Sequence, residues 1–297
     1  MFRVVEFCSG ETVLRGRMYS HGDEQVPCVV MTHGTSATIT MVVDAYAEEI
    51  HGAGFNVLLY DHANFGNSDG EPRYEINPWL QGRGYKDAVA YLRTRADVSK
   101  VAIWGDSFSG MVALVASAFI LDIDAIVAQI PTCGAELPDI EPSQDLFNTL
   151  KDILYEGDVS GGPEHTTGPL PVVSSDQINA PSILTPIQAF RWFIEYGGRH
   201  GTNWENRVTR VIPPTQVPFN AYLTAPYIPA PILMMVGKAD EMVHCNPAVQ
   251  RAVFDKILTK KEFYEIDGGH FGLLWHPGKL FDEAVEQQIA FLKRILL

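Results

Sequence analysis

The sequence predicts an α/β protein, with a mostly parallel eight-stranded sheet, helices on both faces and a cap inserted late in the sheet. Three observations carry this. Short runs such as PCVVMT at 27–32, FNVLLY at 55–60 and PILMMV at 231–236 hold no charged residue, the pattern of strands buried on both faces. Those runs alternate with stretches of helical length, as parallel strands joined by crossover helices require. Between Pro131 and Pro229 the rhythm breaks into segments rich in proline and glycine, such as GDVSGGPEHTTGPLP and IPPTQVP. The expected division is therefore a core of residues 1–132 and 229–297, with a cap or lid at 133–228.

In chain order, residues 2–8 and 12–19 read as a hairpin turning at Ser9-Gly10, antiparallel and so placed at the sheet edge. The strand at 27–32 leads to a helix from about Ile39 to His51, closed by Gly52 and Gly54. The strand at 55–60 ends in the loop Asp61–Gly70. Asn77-Pro78 opens a helix to about Ala96, with Tyr85, Ala88, Val89 and Leu92 on one face. Strands at 101–104 and 125–130 flank an apolar helix. Inside the cap, strand-like runs are absent and two helices are expected, at 143–155 and 186–196. The strand at 231–236, a helix at 247–258, a strand at 262–266 and a C-terminal helix complete the chain.

Composition narrows the function. The chain has 297 residues, 46% apolar and 20% charged, as an ordinary globular protein does. A formal net charge of −14 disfavours nucleic acid and anionic membrane as partners. No apolar run reaches the eighteen or so residues of a membrane span, and Met1–Cys8 alternates as a strand, without the apolar region of a secretory signal. The four cysteines (Cys8, Cys28, Cys133, Cys245) are scattered, which favours a reduced, cytoplasmic protein without disulfides or a zinc site. The expected partner is a small-molecule acyl substrate; a homodimer is left open.

The chemistry centres on Val101-Ala-Ile-Trp-Gly-Asp-Ser-Phe-Ser-Gly110. A strand running through Gly105 and Ser107 into an apolar helix is the context that turns a serine into a nucleophile. The turn demands small residues two before and two after the serine. Gly105 meets the first demand; Ser109 stands where the G-x-S-x-G pattern has glycine. A serine needs a base, and His270 follows the strand FYEI in Asp267-Gly-Gly-His270, while Asp240 follows PILMMV in Gly237-Lys-Ala-Asp240. The order Ser, Asp, His on successive strand ends points to a triad, with His270 as base and then acid and Asp240 orienting it. Glu241 and Asp139 are rivals for the acid's place. Two backbone amides, Phe108 after the nucleophile and Thr35 after His33-Gly34, are the candidate oxyanion donors.

These segments resemble the α/β-hydrolases. HGTSA, YDHANFGNSDGEPRYEINPW, WGDSFSG, GKADEMV and GGHFGLL are similar to the dienelactone-hydrolase-like and X-Pro-peptidase-like esterases, over Phe2–Thr132 and Pro231–Leu297. The resemblance implies serine hydrolase chemistry with no metal and no organic cofactor. Dehalogenases and epoxide hydrolases of that fold carry an aspartate where Ser107 stands, so those activities are disfavoured.

Ordinary roles compete with each of these assignments. Ser107 alone could be a helix N-cap and His270 a satisfied core histidine; the triad order favours catalysis for both. His33 is expected to brace the oxyanion loop, Asp61 to serve its own loop, and His244 and His276 to lie at the rim or surface. Cys133 and Cys245 have no evident activating partner and read as small buried hydrophobes. Trp192 and Phe193 are the candidate substrate-binding residues, in an aromatic group with Phe190 and Tyr196 that is core by default. The favoured function is a carboxylic ester hydrolase working through an acyl-enzyme on a small to medium apolar acyl substrate. Acyl transfer, thioester or carbon–carbon hydrolysis by the same triad is the alternative, and a non-catalytic ligand receptor on this fold is the rival of another class.

Overall fold

Strands that are apolar on both faces need cover on both, and the computed structural model, which describes residues 1–297, supplies it. The strands are β1 (Phe2–Ser9), β2 (Thr12–Tyr19), β3 (Val26–Thr32), β4 (Asn56–Tyr60), β5 (Glu75–Ile76), β6 (Val98–Asp106), β7 (Ala125–Gln129), β8 (Thr166–Leu170), β9 (Val208–Val211), β10 (Ile232–Gly237) and β11 (Lys261–Ile266). Eight of them form one sheet in the order β1-β2-β4-β3-β6-β7-β10-β11. The opening hairpin pairs antiparallel and joins β4 antiparallel. Every pairing from β4 to β11 is parallel.

The helices are α1 (Val43–Gly52), α2 (Pro78–Arg93), α3 (Ser107–Ser117), α4 (Gln144–Glu156), α5 (Ile187–Gly197), α6 (Ala221–Thr224), α7 (Pro247–Lys256), α8 (His270–Leu273) and α9 (Lys279–Leu296). Two apolar cores result, one on each side of the sheet. Side chains alternate along each strand, so Cys28 and Val30 of β3 enter the core shared with α2, α3 and α7, while Val29 and Met31 enter the core shared with α1 and α9. Each large side chain so buried contributes roughly 1.5–3 kcal/mol. Uninterrupted apolar runs follow directly from a sheet covered twice.

Caps set the helix starts. Asn77 Oδ1 accepts the Trp79 N–H at 3.1 Å, and Pro78 occupies a position whose N–H has no use. Helix α1 begins at Val43, four residues later than the expected Ile39, because the chain first turns through Val42 at φ 78° and the Asp44 N–H returns to the Ile39 carbonyl. Helix α2 ends at Arg93, with Thr94 as its cap, short of the expected Ala96.

The segment expected to form a cap divides between the faces. Leu150 and Leu154 of α4 join the core around α2 and α3; Trp192, Phe193 and Tyr196 of α5 join the other. The expectation that this segment holds no strands needs correction. A second, three-stranded sheet runs β5-β9-β8, with β9 parallel to β5 and antiparallel to β8. It ties residues 166–211 to residues 75–76.

Candidate active site

Strand β6 delivers Ser107 to the carboxyl edge of the sheet and α3 begins at that residue. Reversing direction in one residue forces Ser107 to φ 52°, the left-handed region, at a cost of about 1–2 kcal/mol. Gly105 permits it: a Cβ there would lie 2.3 Å from the Ser109 carbonyl oxygen. Ser109 fits where glycine was expected and secures the turn. Its hydroxyl accepts the Asp106 N–H at 3.0 Å and donates to the Asp106 carbonyl at 2.9 Å.

The three triad candidates meet. Ser107 Oγ lies 2.9 Å from His270 Nε2, and His270 Nδ1 lies 2.8 Å from Asp240 Oδ2. A carboxylate only accepts, so Nδ1 carries the proton and Nε2 offers its lone pair to the serine hydroxyl. Asp240 Oδ1 accepts the Met242 N–H at 2.9 Å, which fixes the carboxylate. Glu241 does a different job, accepting the His270 backbone N–H at 2.8 Å. Asp139 is exposed in the loop after β7. Ser107 and His270 are both buried.

Thr35 lines the pocket beside Ser107, and its N–H donates to no group of the protein. Phe108 is the second residue of α3, one of the first-turn amides that a helix leaves without an intrahelical acceptor. His33 braces the Thr35 loop: Nε2 accepts the His62 N–H at 3.2 Å, so Nδ1–H donates to the Gly34 carbonyl at 3.0 Å. Burial holds the His33 pKa below its ordinary value, in keeping with that neutral role. Asp61 accepts the Ile39 and Asn67 N–H groups, each at 3.0 Å, and organises its loop. Asp106 is buried beside Ser107, and loss of solvation pushes its pKa up to about 6 against the attraction of His270.

Above Ser107 lies a mostly apolar pocket. Trp192 and Phe193 of α5 line it with Met41, Leu184 and Leu274. Trp192 is pinned by its indole N–H, which donates to the Leu274 carbonyl at 2.7 Å. The open volume is about 20 Å³, room for one or two waters. His244 is exposed, and His276 is tied to Tyr196 through its backbone; neither lines the pocket.

Two features escaped the sequence reading. Leu184 sits in a proline-rich stretch with no periodicity to mark it. Cys245, read as having no partner, has its Sγ 3.5 Å from His270 Nδ1 and 3.6 Å from the Ile130 carbonyl. The only available signal was its place five residues after Asp240 in the same post-strand loop.

A crystal structure described as an α/β hydrolase from a Penicillium species superposes on the whole chain and 99% of its own, with a TM-score of 0.74 at 24% identity. The chain has the α/β-hydrolase fold. No known family profile matches the chain. Among its relatives are a thiohydrolase from Aspergillus aculeatus, 29% identical across 98% of the chain and 93% of that protein, and a polyketide transferase from Aspergillus fumigatus, 29% identical across 98% of each. No helix is long and apolar enough to cross a membrane.

Proposed function

We propose that this protein hydrolyses or transfers an apolar acyl group through an acyl-enzyme on Ser107, and that its donor is an acyl thioester in preference to a simple ester. The observation that carries the proposal is the hydrogen-bonded chain from Ser107 through His270 to Asp240 at the floor of an apolar pocket. The relatives named thiohydrolase and polyketide transferase favour sulfur as the leaving atom and leave water and a second substrate both open as acceptor.

In this reading Ser107 Oγ attacks the carbonyl carbon as its proton passes to His270 Nε2, and Asp240 stabilises the imidazolium through Nδ1–H. The oxyanion accepts from the Thr35 and Phe108 amides, each worth about 10²–10³ in rate. The tetrahedral species expels the thiolate, which takes the Nε2 proton and leaves acyl-Ser107. His270 then deprotonates water or another acceptor and the cycle closes. The acyl chain would lie against Trp192 and Phe193 of α5, which line the pocket beside Ser107.

The test mixes the enzyme with N-acetylcysteamine thioesters and p-nitrophenyl esters of matched chain length, following thiol or phenol release and intact mass. Expected is an acyl adduct on Ser107, absent in Ser107→Ala, with a higher kcat/KM for thioesters. Rapid free acid marks a hydrolase; an adduct that persists until an alcohol or amine is added marks a transferase. No adduct across chain lengths, together with ligand-dependent melting, would overturn the reading in favour of a receptor.

A further inference from the structure

Cys245 has no part in the chemistry above, yet its sulfur sits against the centre. Asp240, Cys245 and His270 present one carboxylate oxygen, one thiol sulfur and one imidazole nitrogen, all within 4.8 Å of one another. Asp240 and Cys245 come from the loop after β10, and His270 from the start of α8, which follows β11. Cys245 is held there by its own backbone: its N–H bonds to the Met242 carbonyl at 2.9 Å, and the Gly134 N–H bonds to the neighbouring His244 carbonyl at 2.9 Å.

We propose that Asp240, Cys245 and His270 Nδ1 form a binding site for a borderline-soft divalent cation of the Zn²⁺ type, whose binding switches the Ser107 centre off. Bond lengths of roughly 2.0–2.1 Å to nitrogen and 2.3 Å to sulfur put tetrahedral N and S ligands about 3.5 Å apart. The observed Nδ1 to Sγ distance is 3.5 Å. Nitrogen and oxygen ligands would stand about 3.3–3.4 Å apart on the same basis, so the 2.8 Å gap between Nδ1 and Asp240 Oδ2 has to open by only about half an ångström. Thiolate with imidazole and a single carboxylate selects against Mg²⁺ and Ca²⁺, which take oxygen.

The inhibition follows from the tautomer. A metal on Nδ1 takes that lone pair, the displaced proton moves to Nε2, and an Nε2–H cannot receive the proton of Ser107. Cys245 binds as thiolate and its proton goes to solvent, so one proton is released per ion. Binding itself needs only the three ligands; the inhibition rests on the reading of Ser107 and His270 as nucleophile and base.

The experiment titrates Co²⁺ into the metal-free, reduced, full-length protein, then measures Zn²⁺ inhibition and its reversal by EDTA. Expected are a thiolate-to-cobalt charge-transfer band with tetrahedral visible bands at one ion per chain. Cys245→Ser and Cys245→Ala, checked for folding by circular dichroism, should both lose the band. Both should also resist Zn²⁺ at least roughly tenfold better than wild type, relative to each variant's own metal-free rate. Cys133→Ser is the control and should keep the band. No band, a band lost with Cys133 instead of Cys245, or unchanged Zn²⁺ sensitivity in both Cys245 variants would overturn the proposal. Fluorophosphonate labelling of Ser107 in metal-free protein reads the nucleophile separately. A band without labelling would sink the hydrolase reading and leave the site standing.

Discussion

Replacing Asp106 by asparagine should reveal a pH-dependent cost built into the turn that carries Ser107. The Asp106 carboxyl is buried, with Oδ1 3.2 Å from the Ser109 hydroxyl and no cation paired with it, and its pKa rises from 3.8 to about 6. Below pH 3.8 it is protonated in both folded and unfolded chains and contributes no pH dependence. As pH rises from 3.8 towards 6 the unfolded chain ionises first, so stability falls; above 6 both states are ionised and the penalty is complete. A shift of about two units at 1.36 kcal/mol each makes that penalty about 3 kcal/mol. An asparagine in its place cannot ionise, and whatever that side chain loses in hydrogen bonding is the same at every pH. Urea denaturation of both proteins from about pH 4 to pH 7.5 should therefore give a stability difference that climbs by about 2.5 kcal/mol in favour of Asp106→Asn, with most of the change between about pH 4 and 6. A difference that stays within about 1 kcal/mol over this range, or that runs the other way, would refute the argument from burial.

Three further outcomes can be checked. Gly105→Ala puts a Cβ 2.3 Å from the Ser109 carbonyl oxygen, so it should destabilise the protein by about 1–3 kcal/mol or more in thermal melts and slow fluorophosphonate labelling of Ser107. Asp240→Asn should leave the circular dichroism unchanged and lower kcat by about 10⁴, because His270 then loses its tautomer; a loss under tenfold would move the acid's role elsewhere. Trp192→Ala removes a pocket wall and the indole donor to Leu274. It should cost about 3–5 kcal/mol in stability and raise KM more for long acyl chains than for short ones, as measured across a chain-length series.

The legible part of this fold was the part buried on both sides. A strand such as β3 must feed two cores at once, so it carries no charged residue to confuse the reading, and β4, β7 and β10 announce themselves in the same way. Strands β8 and β9 obey the opposite rule. They are five and four residues long and partly exposed, and β8 contains Gly168 and Pro169, so neither alternation nor apolar content marks them. The residues of the candidate site divide along the same line. Ser107, Asp240 and His270 were traceable because each follows a strand of the main sheet, and strand ends in a parallel sheet point the same way. Cys245 and Leu184 lie where neighbours depend on how loops cross, and no spacing in the chain encodes that.

Ser109 shows why a departure from a motif has to be judged by geometry. Its hydroxyl holds both the N–H and the carbonyl of Asp106, immediately before the one residue of the turn that is driven to a positive φ. A glycine at 109 would satisfy the steric demand and lose both bonds. The steric demand itself falls elsewhere, on Gly105, whose missing Cβ makes room for the Ser109 carbonyl. The two positions share one requirement unequally: 105 must be empty, whereas 109 must only be small. A serine at 109 is then compatible with the elbow and adds to its rigidity, which matters because the proposed reaction needs Ser107 Oγ to stay within hydrogen-bond reach of His270.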